Sequence, residues 1–398
     1  MGLDLQQIQA FLDNEFAVQL IATAIKFAVV FAICIQVPPI MIWVERRAPA
    51  LMQRRKGPNR VGFFKLRLWG LLQSAADAVK LILKEEIVPR GANKIFFQIA
   101  PIFGVIPALL IACAIPYGND FQLFGYNIPL SIVNVDVGFL FILAVSSLGI
   151  YGITIAGWAS NNKYSLLGSL RASAQMISYE IPLGMSLIPI VLIYGTLDLN
   201  QIVIGQSNLW NWGIITSPIS FMIFFVCMFA ETNRAPFDLA ESEAELVAGF
   251  HTEYGSAKFA LIFLTEYVVM FILSCLASTV FFGGWQIPFV PHDTLMQLIG
   301  GLHIPVLPYL LDLVGWGAPF LSLSLQEMGV HSLIASLIGV AVLFIKAGFF
   351  MWMYVWVRWT LPRFRYDQLM SLGWKFMLPV GLANIFVTAI IVAILNFK

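Results

Sequence analysis

Charged residues are scarce in this chain: Asp, Glu, Lys and Arg make up only 11% of its 398 residues, while 59% are hydrophobic. The mean hydropathy is +0.84. A soluble domain of this size would expose a largely apolar surface, so the composition excludes an ordinary globular fold and favours a membrane protein. The net charge is only +1, and the composition therefore predicts no nucleic-acid partner.

Residue types that hold redox cofactors are also few. The four cysteines lie far apart without a CxxC motif, and the chain has only four histidines. No two histidines share a helix face within a long apolar run, which argues against a haem held between two imidazoles. The sequence has no GxGxxG or GxxxxGK[ST] motif. We therefore expect this chain to bind no metal and no cofactor, and to contain no complete catalytic site by itself.

Long apolar runs are what the sequence has in abundance. A membrane-spanning helix needs about 20 mostly apolar residues. Eight segments qualify: 16–44, 96–116, 134–158, 167–194, 213–230, 258–282, 332–357 and 374–396. Because a helix satisfies its own backbone hydrogen bonds in hydrocarbon, the sequence predicts an all-α integral membrane protein, a single transmembrane bundle over residues 1–398.

Basic residues mark alternate loops. The first loop carries twelve, from Arg46 to Lys94, and the third, fifth and seventh loops are basic too, whereas the N-terminus and the even-numbered loops are not. By the positive-inside rule, we expect both termini on the outer side of the membrane and the odd-numbered loops in the cytoplasm. The residues before the first apolar run are acidic, unlike the basic start of a cleaved signal peptide.

Two stretches interrupt this pattern. Residues 63–86 have a helical period, with one polar stripe formed by Gln73, Asp77, Lys80 and Lys84. That stripe predicts an interfacial amphipathic helix, lying along the membrane or under a partner. Residues 285–331 are apolar but broken by five prolines, so we expect short helices on the outer face instead of another span.

The fifth loop, residues 231–257, is a run of acids between two apolar segments. Asp238 and Glu241 have capping-box spacing, which predicts a short helix starting near Leu239. On that helix Glu243 would point into the apolar side, although a solvated acidic loop is the alternative interpretation. Arg234 is the expected counter-charge for Glu231.

Two further carboxylates fall within predicted spans, Glu180 in the fourth and Glu266 in the sixth. Each costs on the order of 3 kcal/mol to insert, so a proton-linked role competes with a structural hydrogen bond to a neighbouring helix. At the end of the first span, Glu45 beside Arg46 fits an ion pair at the membrane edge. The basic residues that follow are also typical of contacts with anionic lipid.

Several of these segments together resemble one family. The segments are ERRAPALMQRRKGPNRVG, ADAVKLILKE, SYEIPLG, ETNRAPFDLAESEAELVAGFHTEY and PRFRYDQLMSLGWK. In order and spacing they are similar to the H-subunit family of bacterial NADH-quinone oxidoreductase, respiratory complex I, and to its mitochondrial and chloroplast counterparts. The resemblance runs from about Val44 to the C-terminus, and residues 285–331 look longer than the family's usual connection.

The resemblance implies a membrane subunit that joins the membrane arm to the hydrophilic arm of a proton-pumping enzyme in the bacterial inner membrane. Quinone would be the substrate, whereas FMN and iron–sulfur clusters would lie in partner subunits. The implied quinone-chamber residues are Glu45, Arg46, Arg55, Asp77, Arg234 and Arg363. The implied proton-linked residues are Glu180, Glu231, Glu241, Glu243, Glu245, Glu253 and Glu266.

The residues themselves are also compatible with other functions. An equivalent subunit of a ferredoxin-linked quinone reductase or of a membrane-bound hydrogenase would look similar, because the electron-donor site would lie in other chains. A stand-alone proton or cation transporter would need inverted repeats, and we detect none in the sequence. A passive membrane anchor would leave Glu180 and Glu231 without a role.

Overall fold

Helices form most of the structure, a computed structural model that describes residues 15–62, 68–123, 126–240, 243–290, 294 and 330–396. The first helices are α1 (Glu15–Met52), α2 (Leu72–Leu83), α3 (Lys94–Ala114), α4 (Gly138–Ala159), α5 (Lys163–Tyr194) and α6 (Leu199–Gly205). Then come α7 (Gly213–Thr216), α8 (Pro218–Glu231), α9 (Glu243–Leu246), α10 (Ser256–Phe281), α11 (Val330–Thr360), α12 (Tyr366–Ser371) and α13 (Leu378–Asn396). A π-helical turn, Leu372–Met377, joins α12 to α13.

Among the residues that the structure describes, seven helical runs are long and apolar enough to cross a membrane: α1, α3, α4, α5, α10, α11 and the run from α12 to α13. The prediction of an all-α integral membrane protein is therefore confirmed, and the chain is a multi-pass membrane protein. The predicted fifth span differs, because it is split at Ser217, directly before Pro218. Proline disfavours helical geometry in the residue that precedes it. The 14 residues of α8 extend only about 21 Å, short of the roughly 30 Å of hydrocarbon, so this segment crosses only as α7 and α8 together. Gly213 of α7 lies against Val280 at the end of α10.

The two irregular stretches are only partly described. Of residues 63–86, the structure gives a 3-10 turn at Leu68–Gly70 followed by α2. The helix is therefore shorter than predicted, and residues 63–67 lie outside the described ranges. Most of the predicted outer-face insertion, 285–331, lies outside them as well. A small antiparallel hairpin, β1 (Phe121–Leu123) and β2 (Tyr126–Ile128), was not predicted.

The core lies around α10. More than half of the residues in the most apolar stretch of α10 are buried, compared with 11% in the most apolar stretch of α1. Helices α3 and α4 approach closely at Gly152, where a Cβ atom would lie 2.9 Å from the backbone nitrogen of Gly104. Helix α10 packs against α1, α8 and α11. Their ends on one side carry buried ionisable side chains, and we call that side the charged end of the bundle.

Candidate functional site

Glu45 is the centre of an ion-pair network at the charged end. It closes the apolar part of α1 and is only 7% exposed. Its carboxylate accepts hydrogen bonds from Arg234 at 3.1 Å, from Arg358 of α11 at 2.6 Å and from the Tyr267 hydroxyl of α10 at 2.7 Å. We call Glu45, Arg234, Glu266 and Arg358 the charged cluster. Three elements distant in sequence thus meet at one carboxylate, which satisfies the demand that a buried charge be paired and hydrogen-bonded.

Arg234 reaches this position because the chain turns sharply after α8. Asn233 has a φ of 48°, in the left-handed region that Asn tolerates better than most residues. Its side-chain oxygen accepts a hydrogen bond from Gln175 of α5 at 3.1 Å, and the same Gln175 amide donates to the Ala230 carbonyl at 2.9 Å. The turn is therefore locked to α5, which directs Arg234 towards α1 and α10.

Arg234 serves two carboxylates. Besides Glu45, its guanidinium lies 3.7 Å from Glu266 of α10 and 4.1 Å above the Tyr267 ring. Burial disfavours the Arg234 cation, but the neighbouring Glu45, Tyr267 and Glu266 outweigh that effect and hold its pKa above the ordinary value. Arg234 therefore stays positively charged, and any change of charge in the cluster must occur on its neighbours.

A cavity of about 100 Å³ extends from Glu266 into the bundle. Most of its lining is apolar, but Glu231 at the end of α8 and Glu180 within α5 also face it. One carboxylate oxygen of each is buried without a hydrogen-bond partner in the described protein. A water needs only about 10–15 Å³ of such space, so the cavity can hold several. Glu266 thus belongs to the charged cluster and also lines a cavity that contains two further carboxylates.

Two predicted contacts and one predicted helix start were wrong. Arg234 pairs with Glu45 and Glu266 and not with Glu231, because the turn at Asn233 carries it away from the helix end. Glu45 does not pair with Arg46, which binds Asp77 of α2 at 2.6 Å. Consecutive residues on a helix point about 100° apart and do not face each other.

The predicted helix start near Leu239 is the third error. The helix of this loop, α9, begins at Glu243, and Asp238 binds Arg363 at 3.0 Å. Glu241 lies outside the described residues, as does the Glu243 side chain, so the predicted apolar setting of Glu243 stays a prediction.

The remaining predicted site residues lie apart from the charged cluster. Arg363 is occupied by Asp238, and Arg55 is exposed and bonded locally to Gln53 at 2.7 Å. In the fifth loop, Glu245 binds Arg171 at 2.5 Å and Glu253 accepts a hydrogen bond from Asn162 at 2.6 Å. Within the described ranges, no group of three or more His, Cys, Asp or Glu side chains is placed to hold a metal ion.

Sequence reasoning missed three residues of this site. Arg358 could have been found, since it ends an apolar span as Arg234 follows one. Tyr267 carries no signal beyond its place next to Glu266. His251 belongs to the fifth loop, and its Nε2 lies 3.3 Å from a Glu266 oxygen, but a single histidine between a phenylalanine and a threonine has no distinctive pattern.

Fold and site together define a multi-pass membrane protein that buries a network of ionisable groups at one end of its helical bundle. A family model described as NADH dehydrogenase matches residues 25–389. The H subunit of NADH-quinone oxidoreductase from Bdellovibrio bacteriovorus is 43% identical, over 94% of this chain and 97% of that protein. The H subunit from Flavobacterium psychrophilum is 41% identical, over 97% of this chain and 100% of its own length. The chain belongs to this NADH dehydrogenase family, and its sequence matches these H subunits almost end to end.

Proposed function

We propose that this chain is a membrane subunit of a proton-translocating NADH:quinone oxidoreductase, where it forms part of the quinone chamber and couples quinone reduction to proton pumping. The observation that carries the proposal is the position of Glu266, which pairs with Arg234 in the charged cluster and lines the same cavity as Glu231 and Glu180. Intramembrane carboxylates of this kind mark ion and proton pathways. The names of the relatives, H subunits of NADH-quinone oxidoreductase, support the same activity.

The proposed chamber lies at the charged end and includes Glu45, Arg46, Arg55, Asp77, Arg234 and Arg363. The basic loops at this end would face the cytoplasm of a bacterial inner membrane, with both termini in the periplasm. Partner subunits of the membrane and hydrophilic arms would complete the enzyme and supply electrons from FMN and iron–sulfur clusters. The chain's own part is to bind the quinone headgroup and to respond to its charge.

The coupling step is electrostatic. Reduction of quinone to quinol takes up two electrons, which add negative charge next to the cluster until two protons, drawn from the surrounding groups, restore neutrality. Two unit charges about 4 Å apart interact by about 4 kcal/mol at an effective dielectric of 20, which is the scale of the contact between Arg234 and Glu266. A change at Arg234 therefore suffices to move a proton on or off Glu266, and the cavity passes the effect to Glu231 and Glu180.

The proton-linked set also includes Glu241, Glu243, Glu245 and Glu253 of the fifth loop. Glu245 is half exposed and pairs with Arg171, and Glu253 accepts a hydrogen bond from the Asn162 amide. We assign these two to holding the loop against α5, and the buried carboxylates to the proton path.

Replacing Glu231 with Gln tests the proposal, because the amide keeps the shape and cannot release a proton. In the purified complex in proteoliposomes, we expect Glu231→Gln to lower quinone-coupled proton uptake at least tenfold. Glu85, an exposed acid, provides the matched control as Glu85→Gln, which should pump like the unaltered complex. Full pumping by Glu231→Gln would refute the proton role. Proton exchange by the chain reconstituted alone would indicate a transporter instead.

A further inference from the structure

His251 is a buried histidine to which the proposed function so far gives no role. It ends the 3-10 turn Gly249–His251 and is 6% exposed. Its ring packs against Phe250, at 4.0 Å between centroids, and against Phe259, at 5.6 Å. The imidazole is therefore held in a fixed orientation between aromatic rings.

The turn itself is pressed against α5. At Gly168 a Cβ atom would lie 2.6 Å from the Cα of Gly249, so the two backbones touch. The Ser165 hydroxyl donates to the Phe250 carbonyl at 3.4 Å. Loop movement at this point would be transmitted directly to the ring of His251, since neither side of the contact has a flexible side chain to absorb it.

The polar side of the ring faces Glu266. His251 Nε2 lies 3.3 Å from one oxygen of Glu266, and Arg234 lies 3.7 Å from the other. Glu266 thus sits between a permanent cation and a group that changes charge near neutral pH as a class. The contact is slightly long for proton transfer, as is common in sites without bound substrate.

We propose that His251 is the proton-exchange partner of Glu266, through which the fifth loop sets the charge of the cavity. This inference rests on the proposed function. In the step, the N–H bond of an imidazolium at Nε2 breaks and an O–H bond forms on Glu266. An ion pair becomes a neutral imidazole and a neutral carboxylic acid, so the pair's net charge stays zero. Glu266 then no longer attracts Arg234, which pairs with Glu45 alone. The proton now on Glu266 is free to enter the cavity.

The direction of control follows from the same contacts. With His251 charged, Glu266 is an anion held from both sides and places a fixed negative charge in the cavity lining. After transfer, a neutral acid stands there, able to donate to the cavity and to be reloaded through His251. If His251 only positioned Glu266, it would need to form a hydrogen bond to Glu266 but would not need to transfer a proton.

His251→Gln separates these roles, because the amide keeps a hydrogen bond to Glu266 but cannot carry a proton. In the complete complex in proteoliposomes, we expect His251→Gln to lower the maximal rate of coupled quinone reduction at least tenfold, with KM for quinone within about twofold; general acid–base groups contribute about 10²–10⁴ in rate. The control Phe259→Leu disturbs the packing around the ring without removing the imidazole, and it should retain most of the activity.

A double-mutant cycle supplies the decisive readout. If the two residues exchange one proton, His251→Gln in a Glu266→Gln background should cost no further activity. Rescue of coupled turnover by Gln, or additive losses in the cycle, would overturn the inference. An unaltered complex that fails to pump on quinone reduction would instead overturn the proposed function.

Discussion

Replacing Arg234 with Gln removes the cation shared by Glu45 and Glu266. Removing one partner of a buried ion pair costs about 3–5 kcal/mol, and both members of the Arg234–Glu45 pair have side chains less than a tenth exposed. Glu45 keeps its 2.6 Å contact with Arg358, which places the expected loss at the lower end, about 3 kcal/mol. If the cluster opens before the rate-limiting step of unfolding, this loss speeds thermal inactivation by up to roughly 10²-fold.

Arg46 provides the matched control for this prediction. Its pair with Asp77 is shorter, at 2.6 Å, but the Arg46 side chain is 48% exposed, and exposed pairs contribute only about 0–1 kcal/mol. The assay is the half-life of quinone reductase activity in the purified complex at a fixed elevated temperature, measured for Arg234→Gln and Arg46→Gln. Equal half-lives for the two variants would refute the argument that burial, and not distance, decides the strength of these pairs.

Two further predictions concern parts of the bundle that hold the site in place. Gly168→Val forces a side chain into the Gly249 backbone 2.6 Å away, and we expect it to abolish coupled quinone reduction while the complex still assembles, as native gel electrophoresis would report; wild-type rates would contradict the close contact. Lys346 of α11 donates to the carbonyls of Phe282, Gly284 and Gln286 at 2.7–2.8 Å, and Lys346→Met leaves them without that donor in an apolar setting. We expect the yield of assembled complex to fall several-fold with Lys346→Met, and an unchanged yield would show that these carbonyls find other partners.

Apolar length predicted the helices well because it is a strong and local signal. A run of 20 apolar residues has few alternatives to a spanning helix, and seven of the eight predicted segments are such helices. The remaining segment, 213–230, is apolar and helical but is split at Ser217, directly before Pro218. The hairpin at Phe121–Ile128 is too short to leave a clear alternating pattern.

The contacts between the site residues were harder to predict than the identity of those residues. The sequence singled out Glu45, Arg234 and Glu266, yet it paired the first two with their neighbours in the chain. Their actual contacts join residues 189 positions apart in one case, and such pairings depend on how helices pack and not on local spacing. A single backbone turn at Asn233 decided the partner of Arg234.

The single guanidinium of Arg234 is shared by two anions, so Glu45 and Glu266 compete for it. Whatever draws the arginine towards Glu45 weakens its hold on Glu266, and the reverse is equally true. Thermodynamic reciprocity then requires that a ligand at the chamber changes the proton affinity of Glu266 by the same factor by which protonation of Glu266 changes the affinity for that ligand. The cluster can therefore be driven in either direction, and under the proposed function the same residues would both let electron transfer move protons and let a proton gradient oppose electron transfer.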